Sequence, residues 1–203
     1  MPSIVLRDYQ LQLLADLRAA LKAHRRVCAV MPTGAGKGQT IGAIVQGAAR
    51  KGRKVLVLAH RAELIEQLTG TVRAWGLEPD VIAPGHRLQG RQVAVGSVQT
   101  VARRLGQLSA PDLIIQDEAH HLVAGNVWGR IIEAWPYAHL IGKTASPQRL
   151  DGLLRQSPHP PLAALPRPPR AHLRETHLDR HPRSHRHRGS QRRHLFRELR
   201  THR

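Results

Sequence analysis

Five short apolar runs, "RVCAVM", "KVLVLA", "QVAVG", "DLIIQ" and "AHLIG", recur along the first three-quarters of the chain, separated by stretches of helical period. Each run is too short for a helix and lacks the polar/apolar alternation of a half-exposed strand. Each therefore reads as a strand buried on both faces. Helices are expected between them over 38–50, 62–75, 98–105 and 127–135. A further helical segment, "RDYQLQLLADLRAALKAH", puts Tyr9, Leu13, Leu14, Leu17 and Leu21 on one face ahead of the first strand. Such repetition leaves few topologies. It predicts an α/β domain, a parallel sheet covered by helices on both faces, with ligands held in the loops at the carboxyl ends of the strands.

The pattern stops after Leu153, and the charge distribution changes there too. Residues 1–153 hold 19 of the 32 Lys+Arg and 11 of the 14 Asp+Glu, a net +8. Residues 154–203 hold 13 arginines, no lysine and 3 acids, a net +10, with 8 of the 14 histidines and 7 of the 14 prolines. With one aromatic residue, Phe196, this segment has too little apolar surface to offset chain entropy. The expected organisation is thus a folded domain over 1–153 and a disordered Arg/His/Pro-rich tail over 154–203. The single cysteine, Cys28, excludes an internal disulfide framework and a cysteine-based zinc site; within "RVCAVM" it reads as a small buried hydrophobe. No run resembles a membrane span or a secretory leader, which predicts a cytoplasmic chain with no membrane partner.

Two motifs fall at strand ends. In "MPTGAGKGQT", Gly34, Ala35 and Gly36 join a strand to a helix. Glycines there let backbone N–H groups turn toward a phosphate, the helix start adds its positive end, and Lys37 would reach the β- and γ-phosphates. The plain alternative is a glycine-rich turn with an exposed lysine. About 80 residues on, "LIIQDEAHH" ends a strand in two acids. Asp117 is suited to holding Mg²⁺ through water, and Glu118 to orienting and deprotonating an attacking water. Together the motifs predict a bound nucleotide and Mg²⁺. The adjacent His120 and His121 do not make a metal site on this pattern.

Over roughly residues 4–152 the chain resembles the first RecA-like domain of superfamily 2 DEAD/DEAH-type helicases, of the bacterial and phage group related to type III restriction helicase subunits. "LRDYQ" looks like the Q motif, "MPTGAGKG" like motif I, "LAHRAELIEQ" like motif Ia, "GSVQT" like the next strand-binding motif, and "GKTASPQR" like motif III; "DEAH" is motif II to the letter. The resemblance implies that Arg7, Gln10, Thr33, Gly34, Ala35, Gly36, Lys37, Gly38 and Asp117 surround the nucleotide, with Gln10 reading the adenine edge and Lys37 and Glu118 serving catalysis. It implies that Arg61, Ser97, Gln99 and Thr100 contact nucleic-acid phosphates, DNA in preference to RNA. Thr144, Ser146 and His120 would couple the nucleotide state to the nucleic acid. Read without the family, Arg61 is equally a solvated helix-start charge, Ser97 a simple N-cap, and His120 a capping or surface histidine.

The sequence departs from that pattern twice. The family carries Thr or Ser at the position of Gly38, whose hydroxyl ligates Mg²⁺. Thr40, two residues on, lies about 200° around the helix and is expected to point away. Phosphate capture should survive and hydrolysis should suffer. Second, no further strand–helix series follows Leu153, so a second RecA-like domain, with its arginines, would have to be supplied in trans. The composition after Leu153 is that of a GC-rich gene read out of frame, which favours a frameshifted or truncated helicase gene over an evolved basic tail. Either origin gives a polycation that binds nucleic acid non-specifically. Two functions follow as expectations: the ATP-binding half of an ATP-dependent helicase or translocase, impaired in autonomous hydrolysis and unwinding, or a non-enzymatic nucleic-acid-binding fragment.

Overall fold

The structure, a computed structural model, describes residues 4–32, 34–119 and 126–144. The tail expected over 154–203 lies outside the described residues, as do Thr33, His120, His121 and Ser146. Chain order runs α1 (Asp8–Ala23), β1 (Arg26–Val30), α2 (Lys37–Ala49), β2 (Val55–Ala59), α3 (Ala62–Ala74), β3 (Asp80–Ile82), β4 (Val93–Ser97), α4 (Val98–Arg103), a 3-10 turn (Leu105–Gln107), β5 (Leu113–Gln116), α5 (Val127–Ala134) and β6 (His139–Thr144). The six strands form one sheet in the order β1-β6-β5-β2-β4-β3. Every pairing is parallel.

All five expected strands are present, because an apolar run buried on both faces has few other places to go. Alternate residues of each strand feed the two faces. On one face Val27, Ala29, Val57, Val95, Ile115 and Ile141 meet Leu13 and Leu17 of α1, Ile41 and Val45 of α2, and Ile65, Leu68 and Val72 of α3. On the other, Leu56, Leu58, Ile114 and Leu140 meet Val98 and Val101 of α4 and Trp128, Ile131 and Ile132 of α5. Each such side chain contributes roughly 1.5–3 kcal/mol on burial. Cys28 packs on the second face. Burial raises its thiol to about 11, so it stays protonated and inert, as its apolar context suggests. No helix among the described residues is long and apolar enough to cross a membrane.

Two features depart from the sequence reading. Strand β3 is additional, a three-residue edge strand opened by Asp80. Its carboxylate accepts the backbone N–H groups of Gln89 (3.0 Å) and Arg91 (2.9 Å), which closes the long loop before β4. Strand β6 runs two residues past "AHLIG", taking in Lys143 and Thr144.

Helices α2 and α3 meet through a glycine. A β-carbon at Gly42 would lie 2.2 Å from Cδ1 and Nε1 of Trp75. The indole is held there by its N–H donating to Gln39 Oε1 (3.1 Å), while Gln46 Nε2 donates to the Trp75 carbonyl (2.7 Å). Gly42→Ala should therefore expel the ring and lower the unfolding free energy by about 1–3 kcal/mol, despite alanine's better helix propensity. Urea denaturation checks this; an unchanged or raised midpoint would show that the seam is looser than these distances imply.

Candidate nucleotide site

The carboxyl ends of β1, β6 and β5 lie side by side, and the candidate residues follow from that order. The phosphate loop leaves β1, the end of β6 stands next to it, and the acidic pair leaves β5 beyond. The Met31 N–H donates to the Thr144 carbonyl (2.9 Å), which ties the root of the loop to β6. Thr144 is fully buried. Its placement at the loop's root is compatible with a coupling role.

Within the loop, Gly34 (φ 82°) and Gly36 (φ 69°) occupy the left-handed region that favours glycine, and Gly36 is the N-cap residue of α2. Helix α1 braces the loop from outside. Tyr9 Oη donates to the Ala35 carbonyl (3.1 Å), and Gln10 Nε2 donates to the carbonyls of Ala35 and Gly36 (3.3 Å each). Gln10 Oε1 accepts the Arg7 N–H (2.9 Å). Gln10 thus engages both ends of its side-chain amide with the protein and braces the loop. Arg7 is exposed at the start of α1.

Lys37 opens α2, and its Nζ lies 4.0 Å from Glu118 Oε1. Two motifs 80 residues apart in sequence therefore converge across the end of β6. Glu118 has φ 56°, the sole non-glycine residue with positive φ among the described ones. A left-handed glutamate costs on the order of 1 kcal/mol and turns the side chain out of the strand line, a strain typical of functional sites. The Asp117 N–H extends the ladder by donating to the Leu58 carbonyl (3.3 Å). Its Oδ1 is buried with no hydrogen-bond partner among the described residues.

That orphaned oxygen is what a metal-bound water would use, but the other described residues around it do not fit a divalent cation. Gly38 offers no oxygen. Packing does not demand glycine there, since an added β-carbon would meet only Thr71 Oγ1 at 3.5 Å and Cγ2 at 4.0 Å, ordinary contacts. Thr40 does not stand in; it is fully buried and its hydroxyl donates to the Gly36 carbonyl (3.3 Å). On the adjacent strand, next in line to Asp117, is a cation that no sequence motif singles out. Lys143 has no exposed surface, and its Nζ donates to the Lys37 carbonyl (2.6 Å). Burial pulls its pKa down to about 7, Asp117 raises it in part, and Lys37 lowers it further. Among the described residues no cluster of three His, Cys, Asp or Glu side chains forms another metal centre.

The residues assigned to nucleic acid lie farther along the same sheet edge, at the paired ends of β2 and β4, where Ala59 is in register with Ser97. Arg61 is the exposed N-cap residue of α3. Ser97 is the N-cap residue of α4, as the plain reading has it, but its hydroxyl donates to Gln99 Oε1 (2.9 Å) and makes no side-chain cap bond. Gln99 is exposed. Thr100 is 7% exposed and faces the interior, so this structure does not present it to a phosphate. A separate hollow of about 290 Å³, lined in part by Lys54, Asp80, Leu108 and Trp135, opens at the amino ends of the strands and holds none of the site residues.

Comparison with known proteins gives the family and the fold. A family model described as "Type III restriction enzyme, res subunit" matches residues 3–149. A 51.5 kDa protein of a Lactococcus phage (isolate 7-9) is 36% identical over 121 residues, covering 60% of this chain and 24% of its own length. The Hef helicase domain of Pyrococcus furiosus superposes with a TM-score of 0.56 at 26% identity, over 72% of this chain and 36% of that one. The UvsW helicase of bacteriophage T4 gives 0.60 at 20% identity, over 71% and 54%. A nuclease-deletion mutant of the type ISP restriction-modification enzyme LlaGI, solved with a DNA substrate mimic, gives 0.56 at 21%, over 71% and 18%. The chain spans little more than half of the UvsW chain, and about a third or less of the other proteins. The fold is that of a helicase RecA-like domain.

Proposed function

The chain belongs to the type III restriction enzyme res subunit family, and from that premise we propose that residues 1–153 are the ATP-binding half of an ATP-dependent DNA helicase or translocase, weak in autonomous hydrolysis. The observation that carries this reading is the convergence of Lys37 on Glu118 at 4.0 Å, beside the buried carboxylate of Asp117. Phosphates would lie on the loop amides and Lys37, and Glu118 would accept a proton from the attacking water. DNA is favoured by the neighbour solved with a DNA substrate mimic. Arg61 and Gln99, exposed at the far end of the same sheet edge, would hold its backbone. A second wall for the nucleic acid and an arginine for the γ-phosphate would come from a further domain or subunit.

Gly38 keeps a second reading open, a nucleic-acid-binding fragment that holds ATP without turning it over. ATP hydrolysis by the purified chain in Mg²⁺, with and without duplex DNA, separates the two. DNA-stimulated turnover supports the motor reading, and retained ATP binding with no turnover supports the fragment. Lys37→Ala should weaken ATP binding about tenfold or more, because it removes the charge-assisted bonds to the terminal phosphates. Unchanged affinity in that variant would remove the loop from the account altogether.

A further inference from the structure

Lys143 is the feature that the family-derived assignments leave unexplained. A fully buried lysine is costly, and natural chains keep one where its charge is used. Its Nζ touches the main-chain carbonyl of Lys37, the first residue of α2, which puts the ammonium at the root of the phosphate loop. That bond uses one of its three N–H donors. Gln116 of β5 is in register with Gly142 of β6, so Asp117 and Lys143 come next in line on adjacent strands, and Asp117 Oδ1 is buried with no partner among the described residues.

These are the neighbours a divalent cation would need: the carboxylate on one side and bound phosphates on the other. In its protonated form, which bound phosphates would favour, the Lys143 amine would offset the charge of the carboxylate, attract the phosphates and repel a metal ion. The same loop has lost the one side chain that would ligate a metal directly, at Gly38, although the space for a side chain is there. The loss and the gain point the same way. We infer that the Lys143 ammonium takes over the charge-neutralising role of Mg²⁺ in this loop, so that the chain binds nucleotide without a divalent cation. The inference rests on the nucleotide-binding reading above and specifies how that site works.

The test is equilibrium binding of a fluorescently labelled ADP to the purified full chain, in excess EDTA and in excess Mg²⁺. The wild type should bind with affinities within about threefold of each other in the two buffers. Lys143→Met, which replaces the ammonium by an apolar chain of similar length, should bind about tenfold more weakly in EDTA. Tightening of the wild type by tenfold or more on adding Mg²⁺ overturns the inference, as does a folded Lys143→Met that matches the wild type in EDTA. Should that variant fail to fold by circular dichroism, the two-buffer comparison on the wild type still decides. A wild type that binds in neither buffer refutes nucleotide binding itself, and the inference with it.

Discussion

Lys143→Met should stabilise the folded domain at pH 7 by about 2–4 kcal/mol. The lysine has no exposed surface and one hydrogen bond, to the Lys37 carbonyl. Holding its pKa at about 7, against 10.5 for an ordinary lysine, corresponds to a penalty on the order of 3–5 kcal/mol. Losing the bond to Lys37 gives back roughly 1 kcal/mol of the gain. The effect carries a pH signature. Between about 7 and 10.5 the unfolded chain binds a proton at this residue that the folded chain does not, so this group makes stability rise with pH across that window. Below about 7 both states carry the proton, and the penalty is constant. The gap between variant and wild type should therefore be widest at and below pH 7 and close by up to about 1.4 kcal/mol per pH unit above it. Urea denaturation of both proteins at pH 7, 8 and 9 measures it. A constant gap, or a wild type that is the more stable at pH 7, would mean that the ammonium is far better solvated than its burial implies.

That lysine also marks where local sequence stopped being informative. The apolar runs sufficed for five strands, since a run buried on both faces needs nothing non-local to be recognised. The loop and the acidic pair were legible for a different reason: glycines, a lysine and two acids at strand ends have few other uses. Lys143 was not legible. Its burial follows from β6 lying between β1 and β5, a property of strand order that no window around "LIGKT" contains, and the charge itself made the run look finished at Gly142. The same limit hid β3, whose three residues are held by Asp80 reaching Gln89 and Arg91 across a loop. It also explains Thr100 and Gln10. Helical spacing could not reveal that Thr100 turns inward, and a motif assignment could not reveal that Gln10 braces the loop carbonyls.

Gly38→Thr combined with Lys143→Met should convert the loop to metal-dependent binding, and the two single changes should not add up to the pair. Threonine at position 38 has room, since the nearest atoms to its β-carbon would be those of Thr71 at 3.5 and 4.0 Å. It supplies the hydroxyl, yet while Lys143 stays charged the metal meets a fixed like charge beside Asp117, so Gly38→Thr alone should gain no more than about threefold from Mg²⁺. Lys143→Met removes the repulsion but leaves one ligand short, and its gain should be of similar size. With both changes the carboxylate, the hydroxyl and the phosphates are all free for the cation. Affinity should then rise by roughly a hundredfold on adding Mg²⁺, where two independent threefold gains would combine to about ninefold, a coupling of about 1.4 kcal/mol beyond the sum of the singles. The quantity to compare is the ratio of labelled-ADP affinities in Mg²⁺ and in EDTA for each of the four proteins. Because each ratio is taken within one protein, loss of folded material in a variant cannot imitate the result. If Gly38→Thr alone gives the full response, Lys143 does not oppose the metal. If the double variant gives none, the missing hydroxyl is not what separates this loop from a metal-dependent one. Either result would move the cause of the proposed weak hydrolysis out of these two positions and toward the arginine that a partner domain would have to bring.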